Sequence, residues 1–136
     1  LDLFSGVGSF GIECLSRGVK NVIFIENYSG VLPILKRNLE NLKSINNYKV
    51  VEKDVYNEIK ILKFEEKFDL IFLDPPYKDK NLSNILLDIN KKNVLNKGGI
   101  IIIHRHKKEE DIYPESFLIT EKKKYGLSKI IFLTSV

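Results

Sequence analysis

Apolar runs and stretches of helical period alternate along the first hundred residues of the chain. Short runs rich in β-branched and aromatic residues predict strands, and stretches whose apolar residues recur every three or four positions predict helices. This alternation is typical of βα units that feed a mostly parallel sheet. The runs that predict strands are 1–4, 22–25, 48–51, 70–73 and 100–103.

The periodic stretches predict four helices. The clearest has four apolar residues at i, i+3, i+4 and i+7, beginning at Leu82. Pro33 fits the first turn of the second helix, because the N–H that proline lacks would have no helical partner there. The apolar stripes of the other helices are Ile12 and Leu15; Val31, Leu35, Leu39 and Leu42; and Val55, Ile59 and Leu62.

Two further runs, 117–120 and 129–133, follow the fifth strand and are joined by Glu121-Lys-Lys-Lys-Tyr-Gly126. A crossover helix does not fit there, so these two strands must pair antiparallel. The sequence therefore predicts an α/β fold with a seven-stranded, mostly parallel sheet and a C-terminal antiparallel hairpin. Its 136 residues fit one domain, 1–136. Because the chain begins within the first strand, we expect a missing N-terminal segment.

Composition limits the classes of protein to which this chain can belong. The chain has 22 Lys plus Arg against 18 Asp plus Glu, a net charge of +4 that permits a polyanionic partner without requiring one. Cys14 is the only cysteine, so an intramolecular disulfide is impossible, and we expect it to pack inside a helix. With no apolar run near the ~20 residues that span a bilayer, the sequence predicts a cytoplasmic protein without a membrane partner.

The segment from Gly6 to Gly11 has the spacing G-x-G-x-x-G and joins the first strand to the first helix. Glycines allow a tight turn and a close approach of the backbone to a ligand. The pattern alone fits NAD, FAD, S-adenosylmethionine or a turn without a ligand. Asp2 favours S-adenosylmethionine, because a carboxylate would repel a pyrophosphate but would attract an ammonium or sulfonium group.

Two carboxylates follow later strands. Glu26 ends the second strand and Asp54 closes the third, and in a parallel sheet these ends share the ligand crevice with the glycines. Ribose hydroxyls are suitable partners. The alternatives are a solvated carboxylate for Glu26 and a helix N-cap for Asp54. The candidate cofactor residues are Asp2, Phe4, Gly6, Gly8, Gly11, Glu26, Asp54 and Val55.

The fourth strand ends in Asp74-Pro75-Pro76-Tyr77, which we take as the candidate catalytic motif. Two prolines remove two N–H donors, so carbonyls and a carboxylate make the turn an acceptor-only surface. Such a surface suits an –NH2 group, and Tyr77 offers a stacking face for a flipped-out base. Accepting both amine hydrogens would direct the nitrogen lone pair at a methyl sulfonium. The alternative is a proline-rich end to the strand.

The order of these motifs resembles the Rossmann-like class I amino-methyltransferases, and nearly the whole chain is similar to the RsmD family of 16S ribosomal RNA guanine-N2 methyltransferases. The similarity includes Leu15-Ser16-Arg17-Gly18 and Tyr125-Gly126-Leu127-Ser128-Lys129. It implies a monomeric, S-adenosylmethionine-dependent enzyme that acts on ribosomal RNA or a small-subunit assembly particle. It also implies an N-terminal extension. Asp-Pro-Pro-Tyr is shared with adenine-N6 enzymes and does not choose the base.

Basic residues follow the fourth and fifth strands. If these strands are neighbours, RNA phosphates could dock there, although an ordinary solvated loop would have the same composition. His104 and His106 lack a third ligand with suitable spacing, so we predict no metal site. Lys122 to Lys124 are weaker candidates, because a hairpin turn often contains lysine. The candidate RNA-binding residues are Lys78, Lys80, Arg105, Lys107 and Lys108.

Three other functions stay open at this point. Adenine-N6 methylation of DNA or RNA would use the same motif. Nicotinamide-dependent oxidoreduction would use the same glycine loop, but Asp2 disfavours it. A non-catalytic RNA-binding assembly factor could keep the fold, but it would not need an intact Asp-Pro-Pro-Tyr.

Overall fold

The computed structural model describes residues 1–61 and 65–136, which form two compact units, Leu1–Val55 and Tyr56–Val136. Within the first unit, strands alternate with helices as the apolar pattern predicts. Its elements are β1 (Asp2–Leu3), α1 (Ser9–Ser16), β2 (Val22–Ile25), α2 (Leu32–Glu40) and β3 (Tyr48–Val51).

The three strands of the first unit are parallel and lie in the order β3-β2-β1. The predicted bounds of β2 and β3 are confirmed. Pro33 lies in the first turn of α2 as predicted, whereas Leu42 lies beyond the end of that helix. Apolar side chains from both helices cover β2, and the buried members of this cluster are Leu15, Val22, Phe24, Leu35 and Leu39.

The second unit contains four strands and a well-buried helix. Its elements are β4 (Phe68–Leu73), α4 (Leu82–Lys91), β5 (Leu95–His106), β6 (Phe117–Tyr125) and β7 (Ser128–Ser135). Helix α3 (Val55–Ile61) begins at the last residue of the first unit. Leu62, predicted on the stripe of α3, lies outside the described residues. The predicted face of α4 is confirmed, since Leu82, Ile85, Leu86 and Ile89 are all buried.

The strands of the second unit lie in the order β4-β5-β7-β6. β4 and β5 are parallel, whereas β7 runs antiparallel to both β5 and β6. The parallel βα units and the C-terminal antiparallel hairpin confirm the predicted α/β, Rossmann-like fold with seven strands. Because β4 and β5 are neighbours, the loops that follow their carboxyl ends lie side by side, as the predicted basic surface requires.

Strands β4 to β7 are all longer than the sequence predicts, and β5 and β6 differ most from their predicted bounds. β5 continues through His106, and its alternation places Arg105 on the buried side with Ile103, while His104 and His106 are half-buried on the other. β6 continues through Tyr125, so the prediction that Lys122 to Lys124 form the hairpin turn is wrong. The turn is instead made by Gly126 and Leu127. Eight of the nine β6 residues are exposed, and such a strand lacks the apolar alternation that predicts one.

Candidate active site

The loop between β1 and α1 has a left-handed backbone at Phe4 (φ 59°), Gly6 (57°) and Gly8 (87°). Strain at a non-glycine residue such as Phe4 is typical of functional loops. Two hydrogen bonds hold the loop. Gly8 N–H donates to the Ser5 carbonyl (2.9 Å), and Asn38 Nδ2, from α2, donates to the Val7 carbonyl (2.9 Å). The sequence reasoning missed Asn38, because no local signal connects α2 with this loop.

Gly6 and Gly8 have different surroundings. A Cβ at Gly8 would lie 2.4 Å from Leu35 Cδ1 and 3.1 Å from Ile12 Cδ1, so helix packing leaves no room for a side chain. A Cβ at Gly6 would meet nothing within 4 Å. Gly6 therefore borders open space, where a ligand could approach the backbone.

Asp2 is buried and holds the start of α1. Its Oδ2 accepts a hydrogen bond from Gly11 N–H at 3.1 Å. A Cβ at Gly11 would lie 2.4 Å from Phe24 Cε1 and 2.9 Å from that same carboxylate oxygen. Gly11 is therefore needed for close packing and for its bond to Asp2, and its contact with a cofactor stays a prediction.

Ser5 and Glu26 offer polar groups for a ligand. Ser5 Oγ is buried and has no hydrogen-bond partner among the described residues. Burial raises the pKa of the Glu26 carboxyl, against a hydrogen bond from the Asn27 backbone that lowers it. A nucleoside has hydroxyl groups that could satisfy both side chains. Sequence reasoning missed Ser5, although it lies within the glycine loop.

Asp54 and Val55 lie after the third strand. β3 ends at Val51, so the prediction that Asp54 closes that strand is wrong: it lies immediately before α3. Val55 is buried and Asp54 is half-buried. Parallel pairing places the carboxyl ends of β1, β2 and β3 at one edge, and the structure therefore brings the glycine loop, Glu26 and the β3–α3 connection to that edge.

In the second unit, the Asp74 carboxylate and the Pro75 carbonyl follow the end of β4, and we call them the acceptor corner. Pro75 is buried, whereas the Asp74 side chain is 47% exposed. The Pro76 carbonyl accepts hydrogen bonds from Asp79 N–H (3.0 Å) and Arg105 Nη1 (3.3 Å). No described residue donates to the Pro75 carbonyl. Of the two proline carbonyls, only that of Pro75 is left for a substrate.

His104 lies beside the acceptor corner. Its Nδ1 is 2.8 Å from Asp74 Oδ1, and its Nε2 is 2.9 Å from Ser128 Oγ on β7. No other hydrogen bond to Asp74 is found in the described part of the chain, so Oδ2 stays available. The sequence reasoning considered His104 only as a metal ligand. No local signal could have paired it with Asp74, since 30 positions separate the two residues.

Arg105, Glu109 and Asp111 form a buried ionic cluster that we call the Arg105 cluster. The guanidinium donates to Asp111 Oδ2 (Nε, 3.0 Å), to Glu109 Oε2 (Nη2, 3.3 Å) and to the carbonyl of Asp79 (Nη2, 2.8 Å). Only 1% of the Arg105 side chain is exposed. These bonds attach the loop after Tyr77 to the end of β5. The predicted contact between Arg105 and RNA stays untested, but its guanidinium is engaged within the protein.

Charge within this cluster shifts two pKa values. Burial lowers the pKa of Arg105, but the hydrogen bond and charge of Asp111, with Glu109 and Asp79, raise it overall. Burial raises the pKa of Glu109, but the hydrogen bond and charge of Lys80 and the charge of Arg105 lower it overall. Both residues are therefore held in their charged forms.

Tyr77 is 61% exposed and its ring is flanked by two basic residues. The His106 ring meets it edge-on at a centroid distance of 5.1 Å, and Lys78 Nζ lies 5.4 Å from its centroid. His106 Nδ1 accepts a hydrogen bond from Lys108 N–H at 3.1 Å. The ring therefore has fixed neighbours on β5 and in its own loop, and it keeps exposed surface for stacking.

The remaining candidate RNA contacts are exposed. Lys78, Lys107 and Lys108 are exposed lysines, and Lys80 is 77% exposed with its Nζ 3.4 Å from Glu109 Oε2. The structure thus brings four of the five predicted residues to the surface beside the acceptor corner. Within residues 1–61 and 65–136, no three His, Cys, Asp or Glu side chains gather as metal ligands. No described helix has the length and apolar character to cross a bilayer.

The family model described as Conserved hypothetical protein 95 matches residues 1–134, nearly the whole chain. The chain belongs to this family. Its relatives include YlbH of Bacillus subtilis (strain 168), which is 35% identical over 134 residues, with 96% of this chain and 72% of that protein aligned. The predicted similarity to the RsmD family is confirmed by this match and the next.

Ribosomal RNA small subunit methyltransferase D of Haemophilus influenzae is 32% identical over 128 residues, covering 93% of this chain and 66% of that protein. The chain thus spans between about two thirds and three quarters of these two relatives. A solved structure of a conserved hypothetical protein of Streptococcus pyogenes superposes with a TM-score of 0.88 at 27% identity, covering 99% of this chain and 84% of the other. This agreement supports the Rossmann-like fold.

Proposed function

We propose that this chain transfers a methyl group from S-adenosylmethionine to an exocyclic amino nitrogen in small-subunit ribosomal RNA, with guanine N2 as the acceptor. The acceptor corner carries the proposal. At the end of β4, Asp74 Oδ2 and the Pro75 carbonyl are two hydrogen-bond acceptors without donors among the described residues. An –NH2 group has two hydrogens and matches two acceptors. The family relative named ribosomal RNA small subunit methyltransferase D supports the choice of reaction.

The acceptor corner would activate a poor nucleophile. The lone pair of an aromatic amine is delocalised into its ring, and two hydrogen bonds to Asp74 and Pro75 favour a more tetrahedral nitrogen. When bound, S-adenosylmethionine would supply an electrophilic methyl group and would leave as the neutral thioether, which keeps the electron pair of the broken carbon–sulfur bond. The nitrogen would then carry positive charge, which the Asp74 carboxylate would stabilise until one amine proton passes to solvent.

Residues of the first unit would hold the cofactor. Open space at Gly6 lets a ligand approach the loop backbone, and the buried Ser5 Oγ lacks a partner among the described residues. Glu26 would accept hydrogen bonds from ribose hydroxyls, since partial burial has already removed part of its hydration. Asp54, at the start of α3, would accept from the nucleoside, and Asp2 gives the loop a negative charge that suits a cationic ligand.

The exposed lysines would hold the RNA. Lys78 Nζ lies beside the Tyr77 ring, and Lys107 and Lys108 directly follow His106, whose ring also meets it. Phosphates could therefore be neutralised while a flipped-out base stacks on the tyrosine ring. Arg105 does not take this role in the proposal, because its guanidinium binds Glu109, Asp111 and two backbone carbonyls. Its part is to hold the loop that carries these contacts.

Methyl incorporation into ribosomal RNA by the full-length protein tests the proposal. Asp74→Asn should lower kcat about 10²- to 10³-fold, because one preorganised charged acceptor is lost at the reacting nitrogen. Tyr77→Ala should raise the RNA KM by about 5- to 150-fold through lost stacking, worth about 1–3 kcal/mol. Glu40→Gln, an exposed change on α2, is the matched control and should have wild-type kinetics.

Two results would contradict the proposal: unchanged turnover in both Asp74→Asn and Tyr77→Ala, or tight RNA binding by the wild type without any methyl transfer. The second result would favour a non-catalytic assembly factor. Digestion of the methylated RNA to nucleosides identifies the base, and N6-methyladenosine would replace guanine N2 by adenine N6 as the acceptor atom. Mapping the modification that disappears from cells lacking the gene would identify the nucleotide.

A further inference from the structure

We propose that His104 is a positioning residue that fixes the plane of the Asp74 carboxylate, with Ser128 selecting the tautomer of the imidazole. The proposal rests on the proposed function, since it assigns a task within the same site. It starts from one chain of hydrogen bonds that runs from the end of β4 to β5 and β7: Asp74 Oδ1 to His104 Nδ1 at 2.8 Å, and His104 Nε2 to Ser128 Oγ at 2.9 Å.

The tautomer follows from the partners of the ring. An ionised carboxylate can only accept, so His104 Nδ1 must carry the hydrogen in the bond to Asp74. In the neutral ring, Nε2 is then an acceptor, and the hydroxyl of Ser128 can donate to it. Ser128 is fixed in turn as the first residue of β7, paired with His106 and Tyr125 of the neighbouring strands. The backbone of the sheet thus sets the orientation of the imidazole.

A fixed imidazole determines which oxygen of Asp74 meets the substrate. With Oδ1 bound to His104, rotation of the carboxylate about its Cβ–Cγ bond would break that hydrogen bond. Oδ2 is therefore held in one place and faces no other donor in the described part of the chain.

Stability does not explain this chain of hydrogen bonds. The side chains of Asp74 and His104 are 47% and 37% exposed, and polar pairs with such exposure contribute little to folding. A metal site does not explain it either, since no third ligand lies near these two residues in the described structure. Orientation of a reacting group is what such a hydrogen bond can supply at the surface.

Two variants of equal shape separate the hydrogen bond from packing. His104→Asn keeps a donor, because its amide nitrogen, like imidazole Nδ1, is bonded to Cγ. His104→Leu fills similar space without a donor. We expect kcat to fall about 10- to 100-fold in His104→Leu, with unchanged KM values for RNA and S-adenosylmethionine, and His104→Asn to recover most of kcat. The urea midpoint should hardly move in either.

Ser128→Ala tests the second hydrogen bond. We expect a smaller loss of kcat than in His104→Leu, because the ring is still present but is free to take the other tautomer. Ser44→Ala, which changes an exposed serine after α2, is the control. ¹⁵N spectra of the imidazole should show the Nδ1-protonated tautomer in the wild type and a mixture of tautomers in Ser128→Ala.

Wild-type kcat in His104→Leu would overturn the proposal. Equal losses in the Leu and Asn variants at unchanged stability would overturn it too, since the donor would then not be the cause. The ¹⁵N spectrum needs no turnover. If the wild type transfers no methyl group, the proposed function fails, and the spectrum still decides whether Asp74 and Ser128 fix the ring.

Discussion

The loop between β1 and α1 has no room for a Cβ atom at Gly8. At Gly8 two costs coincide, since its φ of 87° is unfavourable for any other residue and a Cβ would lie 2.4 Å from Leu35 Cδ1. We expect Gly8→Ala to lower the free energy of unfolding by about 3 kcal/mol, of which backbone strain contributes about 1–2 kcal/mol and overpacking the rest. Urea unfolding followed by circular dichroism measures this loss.

Gly18→Ala separates the two contributions. Gly18 has a φ of 90°, but a Cβ there would meet nothing within 4 Å. Only strain should appear, so we expect a loss of about 1 kcal/mol. Equal losses in the two variants would show that α2 can move away from the loop and that packing against Leu35 is not what requires a glycine.

Residue chemistry was predictable where the residues that act together are adjacent in the sequence. Asp74, Pro75 and Tyr77 lie within four consecutive positions, so their acceptors and ring could be assigned without coordinates. The hydrogen-bond partners of these groups could not be assigned from the sequence. His104 meets Asp74 across 30 positions and Ser128 across 24, and pairs so far apart are set by strand register rather than by local pattern.

At the scale of elements, the Arg105 cluster attaches a loop to a strand. Arg105→Met would leave the Asp111 carboxylate without its cation and Glu109 with the exposed Lys80 as its remaining ion-pair partner among the described residues. Removing one partner of a buried ion pair costs about 3–5 kcal/mol. We therefore expect the unfolding free energy to fall by about 3 kcal/mol or more. Denaturant titration measures the loss.

Arg17→Met is the control for the Arg105 variant. Arg17 also pairs with a carboxylate, Glu13, but their side chains are 77% and 63% exposed. Its loss should change stability by under about 0.5 kcal/mol. Adding Glu109→Gln and Asp111→Asn to Arg105→Met should recover part of the loss, because neutral side chains tolerate burial better. Similar small effects for Arg17 and Arg105 would contradict the structural role of the cluster.

The bounds of a strand could be predicted where its residues are mostly apolar, but not where they are polar and exposed. β2 and β3 have strongly apolar sequences, and their predicted bounds are correct. β6 was predicted four residues long, but it has nine residues, because its second half is lysine-rich and exposed. Hydrogen bonds to β7 hold that half in place. Backbone pairing leaves no mark on the sequence of an exposed strand.

Across the whole molecule, a net charge of +4 makes the distribution of lysines more informative than their number. Replacing Lys107 and Lys108 by alanine should weaken binding of ribosomal RNA and lower the slope of log affinity against log salt concentration by about 1 per lysine. Filter binding at several salt concentrations measures the slope.

The Lys91→Ala/Lys92→Ala variant is the matched control. These two exposed lysines at the end of α4 are also adjacent, so their removal changes the net charge equally. The slope of log affinity against log salt concentration for this variant should stay close to that of the wild type. If both double variants lower the slope alike, RNA binding depends on total charge and not on the loop after β5.

The fold class was predictable at this scale because alternation of strands and helices is repeated in the first hundred residues. The boundary between the two compact units could not be predicted from the sequence. It falls between Val55 and Tyr56, where α3 begins, and neither proline nor glycine marks it. Compact units are defined by the density of contacts between residues, which apolar periodicity does not report.

We expect the lysine-rich β6 to disfavour pairing between copies of this protein. In the second unit it lies at the end of the strand order, so one side of its backbone is open to pairing with a foreign strand. Lys122, Lys123 and Lys124 make such an addition electrostatically unfavourable between identical molecules. The same lysines attract a polyanion, because its charge is opposite to theirs. Lysines on both faces of this strand can therefore discourage self-association and leave attraction to nucleic acid intact.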